Sequence, residues 1–263
     1  MIIYGSKMYG RKNLIRSRGR CEACGSVAVQ ESYNARKWGH IYFIPIFPMG
    51  DKVRVLRECI SCNRGNHIEQ ARVPDLLENI HDNLEQAVVA LGAGESQMQL
   101  GGKTVDALAV IGGNVKDLYC LGGAEEVDLL LEKLRALEDK KPLLLAEARL
   151  AQVKGELKLS DAKYRELCDM DPDPWLRFQY ATHLYESLRP KMCIPVAEEL
   201  EQELVTDMNL KQLLLECYEV TGQWEKVAIT YESCFLIAPE LKENKKVFKS
   251  YKKACKKAGR GVV

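Results

Sequence analysis

Apolar positions cluster or alternate over short spans in the first seventy residues and then fall into a helical period. Val27-Ala28-Val29 and Val53-Arg54-Val55-Leu56 have the β-branched pattern of strands in a small sheet. Val73-Pro74-Asp75 marks a boundary, since proline suits a first helical turn. Beyond it Leu76, Leu77, Ile80, Leu84, Ala87, Val88 and Leu91 recur at helical spacing until Gly92, and the predicted helix is expected to pack on the strands before it. Gly101-Gly102, Gly112-Gly113 and Gly122-Gly123 follow at intervals of about ten residues and predict short helices or turns. Gly102-Lys103-Thr104 imitates the end of a phosphate-binding loop. Gln97 stands where that motif needs its first glycine, and no apolar strand leads in, so the pattern fails.

The C-terminal half repeats itself. Gly155 aligns with Gly222, Leu157 with Trp224, Ala162 with Ile229, Tyr164 with Tyr231, Leu167 with Cys234 and Pro172 with Pro239, each pair 67 residues apart. Half that interval is about 34 residues, the length of a two-helix repeat, so a third unit is expected at about 174–207. There Ala181, Leu184, Cys193, Ala197 and Leu200 fall at helix-packing positions, and Pro190 suits a break between two helices. Residues 240–258 can cap the stack: Leu241, Val247, Phe248, Tyr251 and Ala254 form an apolar stripe and seven lysines cover the remainder.

The strongest chemical signal lies near the start. Cys21-Glu22-Ala23-Cys24-Gly25 and Cys59-Ile60-Ser61-Cys62-Asn63 are two C-x2-C pairs beside strand-like sequence. Each turn can aim two thiolates at one ion, and Gly25 and Asn63 allow the bend. Four thiolates complete a tetrahedron and leave no open position, so Cys21, Cys24, Cys59 and Cys62 predict one structural Zn2+ per chain, with iron as the alternative for a sulfur-only site. Between the pairs runs Trp38 to Gly50, aromatic and aliphatic with Pro45 and Pro48 inside it. It is too short to span a bilayer. Three readings compete for it: an edge strand packed on the ribbon or the next helix, a docking patch, or an interfacial membrane contact. The packed strand is the expectation, because apolar side chains are usually buried.

These residues carry a resemblance. The order MIIYGSK, C-x2-C-G, WGHIYFIPIFPMG and C-x2-C over residues 1–72 resembles the zinc-ribbon family of bacterial proteins in which an FxIPxFPxG-type sequence separates the cysteine pairs. Glu22 and Ile60 stand where such knuckles usually carry proline. The resemblance implies an N-terminal zinc ribbon with the same four cysteines as ligands and implies no particular activity. Over residues 141–240, Leu214, Leu215, Tyr218, Gly222, Trp224, Val227, Tyr231, Cys234 and Pro239 look like the tetratricopeptide signature, which implies antiparallel helix pairs stacked around a partner-binding surface. The expected fold is therefore a small β zinc ribbon at 1–73, a helical, glycine-rich connector at 74–140 and an all-α, tetratricopeptide-like repeat domain at 141–263 with a capping helix.

Composition narrows the function. Across 263 residues, 46% hydrophobic against 29% charged excludes disorder and collagen. No apolar run reaches a membrane-spanning length, and the first residues lack a secretory core, so a cytoplasmic protein is expected. Ten cysteines without an export signal point to metal ligation and buried thiols; Cys120, Cys168, Cys193, Cys217, Cys234 and Cys255 are expected inside helices as small hydrophobes. The formal net charge of +1 hides segregation. Residues 1–73 carry 13 Lys and Arg against 5 Asp and Glu, residues 74–240 carry 16 against 31, and residues 241–263 carry 9 against 1. Such blocks neutralise one another or bind a polyanion.

His40, His67, His81 and His183 are scattered among different predicted elements without a partner motif, and no small-molecule substrate site is evident. The sequence thus predicts a non-enzymatic scaffold that takes a protein or peptide through its helical repeats. The alternative is a nucleic-acid-binding zinc-ribbon module using the basic N-terminal domain and the Lys-rich C-terminal helix; its binding would be backbone-driven and salt-dependent.

Overall fold

The computed structural model describes residues 4–262. The chain divides into two compact units, Met1–Leu167 and Cys168–Val263.

In the first unit, β1 (Tyr4–Arg20), β2 (Val27–Ile41), β3 (Ile44–Cys59) and β4 (Asn66–Glu69) form one antiparallel sheet in sequence order. Its first three strands run to 15–17 residues, longer than a small ribbon requires. The sequence concealed β1 because its lysines, arginines and glycines do not alternate with apolar residues. Its pairing with β2 shifts register on both sides of Lys12, where Gly10 and Asn13 take left-handed backbone. A two-residue turn at Tyr42-Phe43 joins β2 to β3, with Ile41 opposite Ile44.

Beyond a short 3-10 turn at Gln70–Arg72 comes α1 (Val73–Gly92), with Pro74 in its first turn. Then follow β5 (Gln97–Leu100), β6 (Lys103–Asp106), α2 (Ala107–Leu121), α3 (Ala124–Arg135), α4 (Lys141–Lys154) and α5 (Leu157–Met170), whose length crosses the unit boundary. The expected packing of α1 on the strands is not what occurs. Its Leu84, Ala87 and Ala90 join Ile111, Val115 and Leu118 of α2 and Leu130 and Leu134 of α3 in one apolar core. The sheet meets α2 and α4 instead.

Two of the three glycine pairs lie at turns as expected, Gly101-Gly102 and, at the left-handed end of α2, Gly122-Gly123. Gly101-Gly102 is the turn of the β5–β6 hairpin, which accounts for the imitation of a phosphate loop. Gly112-Gly113 lies inside α2: a Cβ on Gly112 would sit 3.0 Å from Leu145 Cδ2, so the glycine permits close approach of α4. Asp106 caps that helix through a 2.7 Å bond from the Ala109 N–H, and the buried stripe on Val110, Ile111, Val115 and Leu118 outweighs glycine's poor helix propensity.

The second unit is helical: α6 (Pro174–Glu186), α7 (Pro190–Glu203), α8 (Met208–Thr221), α9 (Trp224–Ile237) and α10 (Lys245–Ala258). Successive helices pack on one another, and α6 also meets α8. Ala181 and Leu184 are buried with Cys193, Ala197 and Leu200, and Leu214, Cys217 and Tyr218 with Val227 and Ala228, so small and large side chains interlock as the periodicity predicts. Asp173, Asp207 and Asn244 cap α6, α8 and α10 through their side chains. The C-terminal helix docks through an aromatic cluster, with Tyr251 edge-on to Phe235 at 5.2 Å, while Lys257 lies 3.7 Å over Trp224.

Candidate metal centre and its surroundings

The sheet brings both cysteine turns to one end. Cys21 and Cys24 follow β1, Cys59 ends β3 and Cys62 follows it, so pairing of β2 with both strands fixes one turn beside the other. The turns are built alike. Gly25 and Asn63 take left-handed backbone at φ 72° and 54°, and each donates its N–H 2.8 Å to the carbonyl of Cys21 and Cys59 respectively. Cys21 and Cys59 donate in turn to the carbonyls of Ser26 and Arg64, both at 2.9 Å. A further bond, Ile60 N–H to the Val29 carbonyl at 3.2 Å, ties the second turn to β2.

All four sulfurs lie within 4.8 Å of one another, with Cys21 Sγ to Cys62 Sγ at 3.7 Å and Cys24 Sγ to Cys59 Sγ at 3.9 Å. A tetrahedral ion with Zn–S bonds of about 2.3 Å requires S···S edges of about 3.8 Å. The donor set therefore fits a tetrathiolate ion in size, and the cysteines could hold a metal. Cys21 and Cys59 are buried while Cys24 is exposed.

The turns also favour thiolate. Hydrogen bonding to the Ser26 side chain and backbone draws the Cys24 thiol down to about 6. Burial pushes the Cys59 thiol up, but the N–H groups of Cys62 and Ser61 outweigh it and leave it below the usual range. At Cys62 an N–H from Arg64 favours the thiolate, yet burial and the three neighbouring sulfurs hold the thiol up at about 11. Full deprotonation of the cluster is thus resisted at Cys62, a conflict that a divalent cation removes.

The remaining cysteines are elsewhere. Cys120, Cys193, Cys217, Cys234 and Cys255 are buried and Cys168 is half-buried. Burial raises the thiol pKa of Cys120 and Cys234 and takes Cys168 to about 11, so these are packed thiols rather than reactive ones.

The histidines stay apart along the chain. His40 stacks on Phe43 within the β2–β3 hairpin, His67 lies in β4 opposite Val55, His81 faces Glu85 on α1, and His183 is buried in α6 with Arg189 at 3.3 Å. Part of the N-terminal positive charge is already neutralised: Arg11 reaches Glu31 and Glu58, Arg16 reaches Glu31, and Arg57 reaches Asp117.

The apolar stretch between the cysteine pairs contradicts the expected burial. It belongs to strands, but every residue from Ile41 to Gly50 is exposed, Phe43 at 64% and Ile44 at 62%. Phe47 makes one intimate contact, its ring lying across Gly39, where a Cβ would come within 2.6 Å of it. Composition signalled an apolar segment; only the strand pairing placed it at a hairpin end beyond the reach of α2 and α4.

Fold and site thus define an antiparallel sheet with a clustered set of four cysteines, followed by antiparallel helix pairs. No helix among the described residues is long and apolar enough to cross a membrane. Among solved structures, the chain is similar to "MamA 41-end from Desulfovibrio magneticus RS-1", with 18% identity over 58% of this chain and 91% of the other and a TM-score of 0.42. It is likewise similar to "MamA RS-1 ArsTM double mutant", with 18% identity, 58% and 90% coverage and a TM-score of 0.42. No family model matches the chain, and no curated protein is similar to it.

Proposed function

We propose that the chain is a non-enzymatic protein-interaction scaffold in which a zinc-ribbon-like sheet, closed by one structural Zn2+ on Cys21, Cys24, Cys59 and Cys62, precedes a tetratricopeptide-like repeat segment over about residues 141–263. When bound, the ion supplies four metal–sulfur bonds and no reactive position. The four cysteines deliver deprotonated sulfurs at tetrahedral spacing, and their turns orient those sulfurs through backbone N–H groups.

The observation that carries the scaffold reading is the recurrence of one device along the helices. The α4–α5 and α8–α9 pairs each turn at a left-handed glycine, Gly155 and Gly222, 67 residues apart, and α6–α7 stands between them in sequence. Such repeats bury their inner faces and leave long outer surfaces for partners. On those helices Leu236, Val220 and Ile229 remain exposed, Leu236 at 85%. Internal pairing of the basic arginines favours a protein partner over a polyanion. The cytoplasm is the proposed location, where thiolates stay reduced.

The test is crosslinking capture by full-length protein from an extract of cells that make it, beside a Val220→Glu/Leu236→Glu variant. The scaffold reading expects a defined partner that the variant loses while melting as the wild type does. Recovery of the same partners by both forms moves the interaction off these helices, and recovery of none by either overturns the reading.

A further inference from the structure

We propose that the end of the β2–β3 hairpin is a membrane-contact device that inserts into the interfacial layer of an anionic lipid bilayer. The Cys-rich turns occupy one end of the sheet, and Tyr42-Phe43 lies at the opposite end of β2, about 45 Å away for a 15-residue strand. At this tip Tyr42, Phe43, Ile44, Ile46, Phe47 and Met49 are all more than 40% exposed.

Three features select lipid over protein. Successive strand residues point to opposite faces, yet every residue from Ile41 to Gly50 is exposed. A flat partner covers one face, whereas a fluid apolar medium surrounds both. Docking by strand addition is also disfavoured. Among the described residues β4 covers β3 only from Val53 to Leu56, its last residue Glu69 lying opposite Val53, so the outer edge of β3 is open from Ile44 to Lys52, and Pro45 and Pro48 remove two N–H donors from that stretch.

The third feature is charge. Lys7 lies opposite Trp38, Lys37 opposite Met8, and Lys52 opposite Arg36, and all three lysines are exposed. Asp51 is the single acidic residue in residues 4–21 and 32–57. A basic collar behind an apolar tip matches anionic headgroups above acyl chains. Trp38, opposite Lys7, falls at the collar behind the tip, where amphipathic rings are favoured.

The turn itself is built for presentation. Tyr42 and Phe43 occupy left-handed backbone at φ 52° and 64°, positions where Asn-Gly is preferred. The Tyr9 hydroxyl fastens the turn by donating 2.9 Å to the Phe43 carbonyl. Aromatic residues here weaken the turn and place two rings at its outermost point.

This geometry supplies a variant that keeps the fold. Tyr42→Asn/Phe43→Gly installs the preferred turn pair while deleting both rings. Full-length metal-loaded protein is floated with vesicles of phosphatidylcholine containing phosphatidylglycerol, and with phosphatidylcholine alone. The expected result is binding to the anionic vesicles only, weakened by salt, and reduced about tenfold or more in the turn variant and in Lys37→Glu/Lys52→Glu. Absence of binding by the wild type, or equal binding by the turn variant, overturns the proposal. Sedimentation without lipid supplies the last arm: self-association of the wild type that the turn variant abolishes assigns the tip to a second copy of the chain instead and also overturns it.

Discussion

The guanidinium of Arg54 donates two hydrogen bonds to the carbonyl oxygen of Cys120, one from Nε at 3.1 Å and one from Nη2 at 2.5 Å. Cys120 sits in the last turn of α2, where carbonyls lack helical partners and carry the negative end of the helix dipole. The same side chain donates from Nη1 to the Asn13 carbonyl at 3.0 Å and to Asn34 Oδ1 at 3.2 Å, joining β1, β2 and β3 to the helix. Arg54 is 1% exposed, and its burial draws its pKa below the usual value against the pull of Cys120. Replacing it strands several acceptors at once. Arg54→Met is expected to destabilise the first unit by about 2–4 kcal/mol. Arg54→Lys should restore only part of that, because an ammonium cannot reproduce the fork. Urea denaturation checks both; a cost for the Met variant within experimental error refutes the clamp.

The cysteine cluster makes a prediction about metal. Elemental analysis of purified protein should give one zinc per chain, and Cys59→Ser should lose it. Structural zinc sites contribute roughly 10–16 kcal/mol of apparent binding free energy to folding. Chelation should therefore unfold the sheet, with the N–H groups of Gly25 and Asn63 losing protection from exchange while α6 to α10 keep theirs. Cys234→Ser is the control: this thiol is buried in α9 and should leave the zinc content at one.

Legibility from sequence followed whether a signal was local. The two knuckles were readable because C-x2-C followed by a residue tolerant of left-handed backbone is a complete chemical statement, and Gly25 and Asn63 adopt that backbone. Helices α6 to α9 were readable from periodicity and from Pro190, which opens α7. What failed depended on distant partners. The long β1 is hidden by its basic residues, and its pairing is set by β2. Gly112 resembles a helix breaker until Leu145 is seen against it. The buried role of Arg54 had no sequence signal beyond its place among β-branched neighbours. The exposed tip resembled core because composition does not reveal where a hairpin ends.

Gly155 and Gly222 allow a paired test. Each follows its helix in left-handed backbone, at φ 78° and 75°. A Cβ would meet nothing within 4 Å at Gly155 and only Trp224 Nε1 at 3.9 Å at Gly222. Steric clash is absent at both, so Gly155→Ala and Gly222→Ala should each cost about 1–2 kcal/mol from backbone conformation alone. Asn, which tolerates this conformation, should recover part of the loss at both sites. Thermal melts of the four variants check the equivalence; a much larger loss at either site reveals packing that the repeat does not share.

Glu198 on α7 is held by two helices that follow it: the Tyr218 hydroxyl donates to Oε1 at 2.7 Å from α8, and Lys226 Nζ donates to the same oxygen at 2.6 Å from α9. Burial pushes the carboxyl pKa up, but the hydrogen bonds from Lys226 and Tyr218 outweigh it, so the folded value lies below the usual one. A depressed carboxylate stabilises the fold above its unfolded pKa of about 4.3, and that contribution disappears as pH falls through the folded value. Its size is limited by water, since the Glu198 side chain is 36% exposed and salt screens it. Glu198→Gln is expected to cost under about 1 kcal/mol at neutral pH and low salt. The gap between the two proteins should hold down to about pH 5 and close below the unfolded pKa. Urea titrations of both forms across that range measure it directly. A gap that persists unchanged at the lowest pH assigns the cost to lost packing rather than charge and refutes the electrostatic account.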